Sequence, residues 1–270
     1  MRTLTAFFMA ILAGLAGPGA SAETSVLRSL STGDDGRGWE AVGRLDLGGR
    51  GFCTGALISE RLVLTAAHCL YDKHTGARLS IADMTFLAGW RNGRAAAYRG
   101  VRRAESLTGY DYAAEDRMGR VAADVAVIEL DQPIRIGSIR PFPTFQGPPV
   151  GTSVQVVSYA LDRAEAPSLE EACHVLGADP GVLVLSCDVE FGASGAPIFV
   201  VVDGKPMIAS VVSAKANWRG RKVALGAALD ARLAGLVGRM EDTAAGPSRL
   251  RPAGAMPADR SGLSAKFLRP

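Results

Sequence analysis

Residues 62–69 read LVLTAAHC, a short apolar run that ends in a histidine followed by a cysteine. Asp124 opens a second apolar run, DVAVIEL, and Ser194 lies in the small-residue stretch FGASGAP. A serine hydroxyl needs a base to take its proton; an imidazole can act as that base, and a carboxylate can orient the imidazole. His68, Asp124 and Ser194, in that order and in these surroundings, therefore predict a nucleophilic serine site.

The chain around these motifs consists of short apolar runs separated by Gly, Pro, Asp and Asn residues. Such a pattern is typical of an all-β barrel or sandwich. Leu229–Met240 is different, because its leucines recur at helical spacing, and it predicts a late helix. The predicted strands are Trp39–Leu47, Phe52–Ser59, Leu62–Ala66, Met84–Ala88, Asp124–Leu130, Ser153–Ala160, Val182–Ser186, Ile198–Val202, Met207–Ser213 and Val223–Ala228.

Together the motifs resemble the chymotrypsin/trypsin-like serine peptidases, and most closely their secreted bacterial members. The resembling stretches are CTGALI at 53–58, TAAHC at 65–69, DVA at 124–126 and GASGAP at 192–197. The resemblance extends over about residues 39–240. It implies two six-stranded antiparallel β-barrels with the site in the cleft between them, followed by a C-terminal α-helix.

The resemblance also implies a role for each motif residue. Ser194 would be the nucleophile, His68 the general acid and base, and Asp124 the group that orients His68. The backbone N–H groups of Gly192 and Ser194 would form the oxyanion hole. The implied reaction is hydrolysis of peptide bonds through an acyl-enzyme. Two alternatives stay open: an esterase that uses the same triad, and a catalytically silent binding protein with the protease fold.

Four cysteines allow three disulfide pairings. The resemblance implies a Cys53–Cys69 bridge, which ties the histidine loop to the neighbouring strand. Cys173 and Cys187 then remain as the second pair, without a counterpart in the animal enzymes. The spacings contain no CxxC pair, so a zinc site is not predicted, and we expect neither metal nor cofactor.

The residue before the serine departs from the pattern of the animal enzymes. Those enzymes place an Asp there, which pairs with an N-terminus exposed by cleavage, whereas this chain has Ala193. We therefore expect the oxyanion hole to form without that ion pair. A lost hole, and hence an inactive protein, is the competing interpretation.

The substrate pocket gives conflicting signals. Asp188 lies six residues before Ser194, the offset of the acid that binds Lys or Arg in trypsin-like enzymes, but its surroundings differ. A structural aspartate is the other interpretation. Lys215 at the pocket mouth would favour acidic or neutral side chains. The predicted substrate-binding residues are Asp188, Ser213, Lys215 and Gly226.

The beginning of the chain predicts export. Arg2, an apolar run and the small-residue sequence at 20–22 are typical of a signal peptide. Export places the protein in the periplasm or outside the cell, where disulfides persist, with no membrane anchor after the signal is removed. The predicted divisions are a signal peptide 1–22, a flexible lead-in 23–38, an N-terminal barrel 39–135, a crossover 136–150, a C-terminal barrel with helix 151–240 and a disordered tail 241–270.

Composition excludes some other function classes. The 270 residues include 30 basic and 27 acidic side chains, and aromatic residues make up only 6%. A net charge of +3 without long basic blocks argues against a nucleic-acid partner. The 48% hydrophobic content is ample for a buried core. We expect a monomer that acts on protein or peptide substrates.

Overall fold

The structure is a computed structural model that describes residues 27–244. The predicted signal peptide and most of the predicted tail lie outside the described residues. No helix among residues 27–244 has the length and apolar character needed to cross a membrane.

Short strands dominate this part of the chain, as the apolar runs predict. The helices are α1 (Arg117–Ala122) and α2 (Ala231–Ala244), with 3₁₀ turns at Ala67–Leu70 and Ile81–Asp83. The strands are β1 (Leu27–Ser29), β2 (Val42–Leu47), β3 (Phe52–Leu57), β4 (Leu62–Thr65), β5 (Met84–Ala88), β6 (Ala97–Ser106), β7 (Ala126–Leu130), β8 (Ser153–Ala160), β9 (Arg163–Asp179), β10 (Val182–Leu185), β11 (Pro197–Val202), β12 (Lys205–Trp218) and β13 (Arg221–Ala228).

The first barrel is closed. Its strand order is β2-β3-β4-β7-β6-β5, and β5 pairs back to β2. All of these pairings are antiparallel. Leu45, Phe86 and Ile128 are fully buried in the core, because a barrel of this size is filled by side chains.

The second sheet has the strand order β1-β9-β10-β13-β12-β11-β8. The long strand β9 also pairs with β8, the last strand in this order, so the sheet curls back on itself. Val156, Leu185 and Ile198 are buried in its core. The predicted all-β fold with a C-terminal helix is confirmed, and the first barrel is six-stranded and closed; the second sheet has seven strands where a six-stranded barrel was predicted.

The lead-in predicted at 23–38 contains regular structure where the chain is described. β1 pairs with β9, and the next residue, Leu30, is completely buried. A turn follows, in which the Thr32 hydroxyl donates to Asp35 over 2.6 Å. The polar composition of this segment gives no sign of a strand, because an edge strand needs only backbone hydrogen bonds to the neighbouring strand.

The crossover between the barrels is held by aromatic packing. Phe142 lies 5.8 Å from Trp39 and 4.7 Å from Phe199, between ring centroids, and the Trp39 and Phe199 rings are 5.0 Å apart. Phe199 belongs to β11 of the second sheet, whereas Trp39 precedes the first barrel. The crossover chain therefore packs into the contact between the two halves.

The C-terminal helix α2 begins later than predicted and extends further. Its start is set by Asp230, whose side chain accepts a hydrogen bond from the N–H of Arg232 over 2.8 Å. Leu233 and Leu236 are buried, and the helix contacts β7 of the first barrel. The C-terminal end of the described residues thus packs against the first barrel.

A buried carboxylate of β7 is surrounded by arginines. The Glu129 side chain is 2% exposed and lies 2.9 Å from Arg102, 3.3 Å from Arg103 and 3.9 Å from Arg61. Arg103 also donates to the carbonyl of Met240 at 2.6 Å. Glu129 therefore fixes the arginine that fastens α2 to the first barrel.

Glu129→Gln is expected to lower the free energy of unfolding by about 1.5–3 kcal/mol, since a buried charged hydrogen-bond acceptor is lost. Glu60→Gln is the control, because Glu60 pairs with Arg135 at 2.7 Å but the two side chains are 55% and 73% exposed. The control should change stability by less than about 1 kcal/mol. Urea denaturation measures both, and equal losses would contradict the role assigned to Glu129.

Candidate active site

His68 lies in a 3₁₀ turn at the end of β4, where the first barrel faces the second sheet. The turn is fastened by the Cys53–Cys69 disulfide, which joins it to β3 across a Cα–Cα distance of 6.2 Å. The His68 side chain is only partly exposed. The imidazole is therefore held in place but can still be reached from the cleft.

Asp124 lies between α1 and β7, and its carboxylate is almost fully buried. One oxygen accepts the backbone N–H of His68 over 2.8 Å. The other lies 2.7 Å from His68 Nδ1 and also accepts the hydroxyl of Ser213. With the proton on Nδ1, the lone pair of a neutral imidazole lies on Nε2. The carboxylate thus fixes both the orientation and the tautomer of His68.

Ser194 follows a sharp turn between two glycines. Gly192 and Gly195 have φ angles of +100° and +75°, which side chains larger than hydrogen rarely adopt. A Cβ on Gly195 would also lie 2.5 Å from the carbonyl oxygen of Thr54. The turn packs so closely against the first barrel that only glycine fits there.

Along this turn, backbone N–H groups that donate a hydrogen bond within the described chain alternate with N–H groups that do not. Ala193 donates to Glu190 over 3.0 Å, and Gly195 donates to Val212 over 2.8 Å. The N–H groups of Gly192 and Ser194 have no acceptor within residues 27–244. Two donors on either side of Ala193 are thus left for a ligand oxygen.

Thr54 on β3 fastens the serine turn to the first barrel. Its N–H donates to the carbonyl of Ser194 over 2.8 Å, and its hydroxyl donates to the carbonyl of Gly192 over 3.0 Å. The same hydroxyl accepts the N–H of Tyr159 in β8 over 3.1 Å. Thr54 is completely buried, so these bonds are shielded from water.

His68, Gly192 and Ser194 line one groove of about 130 Å³ between the two halves of the molecule. The structure therefore brings the three predicted triad residues and the two predicted oxyanion donors to a common region. The predicted disulfides are both present. Cys173–Cys187 ties β9 to the segment that leads to the serine turn.

The sequence profile of the trypsin family, described as "Trypsin", matches residues 33–175, just over half of the chain. The chain belongs to the trypsin family. The predicted resemblance is thereby confirmed. The matched range contains His68 and Asp124, and Ser194 lies beyond its end.

A curated relative is similar over part of its length. Glutamyl endopeptidase of Bacillus licheniformis is 29% identical over 151 residues, which are 55% of this chain and 45% of the relative. This chain thus matches less than half the length of that protein. A solved structure titled "Structure of Glu endopeptidase in complex with MPD" superposes with a TM-score of 0.64 at 19% identity. It covers 81% of this chain and 96% of that one, and shows the shared fold.

This trypsin-family chain has a second cavity, of about 210 Å³, beside the serine turn. Residues 187–190 form one wall, and Lys215 and Lys222 are among the residues opposite. Lys215 donates to Glu190 over 2.7 Å, and this hydrogen bond lowers the pKa of Glu190. Of the predicted substrate-binding residues, the structure places Asp188 and Lys215 in this cavity.

The two other predicted pocket residues lie elsewhere. The side chain of Ser213 bonds to Asp124 rather than lining the cavity. Gly226 is buried in β13, where an added Cβ would meet Ser210 at 2.3 Å and Ile198 at 2.9 Å. Gly226 therefore faces the interior of the second sheet and does not line the cavity.

Two residues near the site were missed from the sequence. The Tyr110 hydroxyl is buried without a hydrogen-bond partner among the described residues. Burial raises its pKa, and the charge of Asp124 raises it further, so the phenol stays protonated. Glu170 is a buried carboxylate that accepts the N–H of Asp188 at 3.0 Å and 3.1 Å. Neither position belongs to a recognisable motif.

Potential metal ligands cluster twice in the described chain, once around Cys53, His68 and Cys69 and once around Glu170, Cys173 and Cys187. All four sulfurs are in disulfides. A thiolate is needed to bind a metal, so neither cluster offers a cysteine ligand set.

Thr54→Val is expected to destabilise the protein by about 1–3 kcal/mol, because it removes a buried hydroxyl and leaves two backbone groups without their partner. It should also slow the reaction of Ser194 with a fluorophosphonate. Thr54→Ser keeps the hydroxyl and is the matched control. Urea denaturation and labelling kinetics measure the two effects, and a valine variant equal to the serine variant would contradict the role of Thr54.

Proposed function

We propose that the protein is a serine endopeptidase that hydrolyses peptide bonds through an acyl-enzyme on Ser194. The observation that carries the proposal is the hydrogen bond between buried Asp124 and partly exposed His68, since His68 lines the same groove as Ser194. Membership of the trypsin family supports the same reaction.

In this mechanism His68 takes the proton of the Ser194 hydroxyl as the serine attacks the carbonyl carbon. Asp124 stabilises the imidazolium that forms and keeps it oriented. His68 then gives the proton to the leaving amine, and water hydrolyses the acyl-enzyme with the roles reversed. The hydroxyl of Ser213 supplies a further hydrogen bond to the Asp124 carboxylate.

The N–H groups of Gly192 and Ser194 are the proposed oxyanion donors. They have no acceptor within residues 27–244, whereas the intervening Ala193 N–H is already bonded. Leu161 donates to the carbonyl of Phe191 over 2.7 Å, which directs that carbonyl to the β8–β9 turn. Fixed donors of this kind stabilise a developing negative charge without having to reorganise.

The hole forms without the ion pair that activates the animal enzymes. Ala193 cannot make such a pair, but the hydrogen bonds from Thr54 to Gly192 and Ser194 fix the turn from the first barrel. These bonds are internal to the folded chain and need no newly exposed N-terminus. Obligatory trimming within residues 23–38 would contradict this account of activation.

The cavity at 187–190 is the proposed site for the substrate side chain on the acyl side. The curated relative is named a glutamyl endopeptidase, and two lysines line this cavity here. Lys222 makes no ion pair among the described residues, whereas Lys215 is bonded to Glu190. Asp188 and Glu190 line the same cavity, and with Glu190 bonded to Lys215, Lys222 is the proposed partner of an acidic substrate side chain.

The proposed location is outside the cytoplasm. The predicted signal peptide at 1–22 supports export, and the two disulfides need an oxidising compartment.

Catalysis by the triad is tested by covalent labelling. A fluorophosphonate should label the wild type, and Ser194→Ala should abolish labelling. Asp124→Asn should reduce kcat about 10⁴-fold, because the imidazole would adopt the wrong tautomer. Asp116→Asn is the control, since this exposed Asp only caps α1 through the N–H groups of Met118 and Gly119. An unlabelled but folded wild type would contradict the enzyme proposal, and turnover of esters but not peptides would favour an esterase.

Acyl-side preference is tested with peptides that differ only before the scissile bond. Wild type is expected to favour Glu over Phe and Arg, and Lys222→Ala should lower kcat/KM for Glu about three- to fivefold relative to Phe. Asp188→Ser should not reduce Glu cleavage, because Asp188 repels that side chain. Efficient cleavage after Arg that is lost in Asp188→Ser would show instead that Asp188 recognises positive charge.

A further inference from the structure

The groove that contains Ser194 continues beyond the triad. Its lining includes Phe52 and Leu161 near the serine, and Arg50, Lys73 and His74 in its wall. It shares no lining residue with the cavity at 187–190. The two depressions therefore accommodate different parts of a bound peptide.

The loop that carries Lys73 and His74 is held firmly by Asp72. The backbone of Asp72 donates to Ala77 and accepts from Gly76, both over 2.8 Å. Its carboxylate accepts the N–H groups of His74 and Thr75 over 2.8 Å and 3.0 Å. The hydrogen bond from His74 is the main cause that lowers the Asp72 pKa to about 2, so the carboxylate stays ionised.

The charges along this groove do not cancel. The second carboxylate oxygen of Asp72 is occupied by Arg50, whose side chain is still 61% exposed. Lys73 is exposed and forms no ion pair within residues 27–244. Asp72 is the only acidic residue among the groove's lining residues in the described chain. An excess of positive charge thus faces the groove.

We propose that this groove binds the leaving-group side of the substrate and selects acidic side chains there, with Lys73 as the determining residue and Arg50 as a second contact. This inference rests on the proposed function. If the acyl-side residue occupies the cavity at 187–190, the chain beyond the scissile bond must leave Ser194 on the other side. That path runs over Phe52 toward Lys73, whose ammonium attracts a carboxylate.

The test uses internally quenched peptides with one fixed sequence before the scissile bond. Asp, Ala or Lys is placed in turn at each of the three positions after it. Wild type should prefer Asp over Lys by about three- to fivefold in kcat/KM at one or more positions, as expected for exposed charge pairs. The preference should shrink at high salt, because exposed charges are screened.

Three variants test whether Lys73 causes the preference for Asp over Lys. Lys73→Glu should invert the Asp/Lys ratio, and Lys73→Arg should keep it. Lys205→Glu makes the same charge change at a lysine that lines a different cavity, and should leave the ratio unchanged. All of these side chains are exposed, so the fold is not disturbed.

Each possible result supports or contradicts one of the two proposals. A wild type that labels with fluorophosphonate but cleaves the Asp and Lys peptides equally would overturn the groove proposal alone. A ratio unchanged in Lys73→Glu, or shifted equally in Lys205→Glu, would do the same. A folded protein that neither labels nor cleaves would overturn the proposed function, and the groove proposal with it.

Discussion

Strand β3 is attached to both the His68 turn and the Ser194 turn through two consecutive residues. Cys53 fixes the His68 turn by its disulfide, and Thr54 fixes the Ser194 turn by hydrogen bonds from its N–H and hydroxyl. His68 belongs to the first barrel and Ser194 to the second sheet, so their relative position depends on whatever joins the two halves. Because one strand carries both attachments, a small movement between the halves does not separate His68 from Ser194. The alignment of these two residues that the proposed general-base catalysis needs is thereby set by β3.

The third member of the site is connected across the same interface. Asp124 lies in the first barrel, and Ser213, on β12 of the second sheet, donates its hydroxyl to the Asp124 carboxylate. A buried carboxylate without sufficient donors would be costly, and here it has the N–H and Nδ1 of His68 as well as this hydroxyl. Separating the halves would thus remove partners from Asp124 and from the serine turn at once. The stability of the folded protein and the geometry of the site therefore depend on the same contacts.

The fold could be predicted from the sequence where strands are apolar, and less well where they are not. Met84–Ala88 and Ser153–Ala160 match their predicted bounds, because both are buried runs between turn residues. Strands β6 and β9 were not predicted: β6 carries three arginines, and β9 contains charged residues and Pro167. Their stability comes from ladders with neighbouring strands, a long-range effect that local composition does not encode. β1 was missed for the same reason.

The residues of the site likewise fall into two groups: those in a recognisable local motif, and those that act through contacts distant in the sequence. The predicted triad residues lie in recognisable motifs, because a tight turn and a buried carboxylate each require particular residue types next to them in the sequence. Thr54 lies within the CTGALI motif and Glu170 lies in no motif, but both bond to residues far away in the sequence, so a single sequence does not reveal their partners. Ser213 was expected to line the pocket, yet its side chain bonds to Asp124.

Polar groups of two kinds surround the site. Buried groups such as Asp124 and Thr54 are hydrogen-bonded and fix the His68 and Ser194 turns, whereas the exposed lysines Lys73 and Lys222 line the cavities proposed to bind substrate. Exposed charges are individually weak. The proposed substrate preference can therefore change by single surface substitutions, whereas a change to one buried contact leaves its partner unpaired.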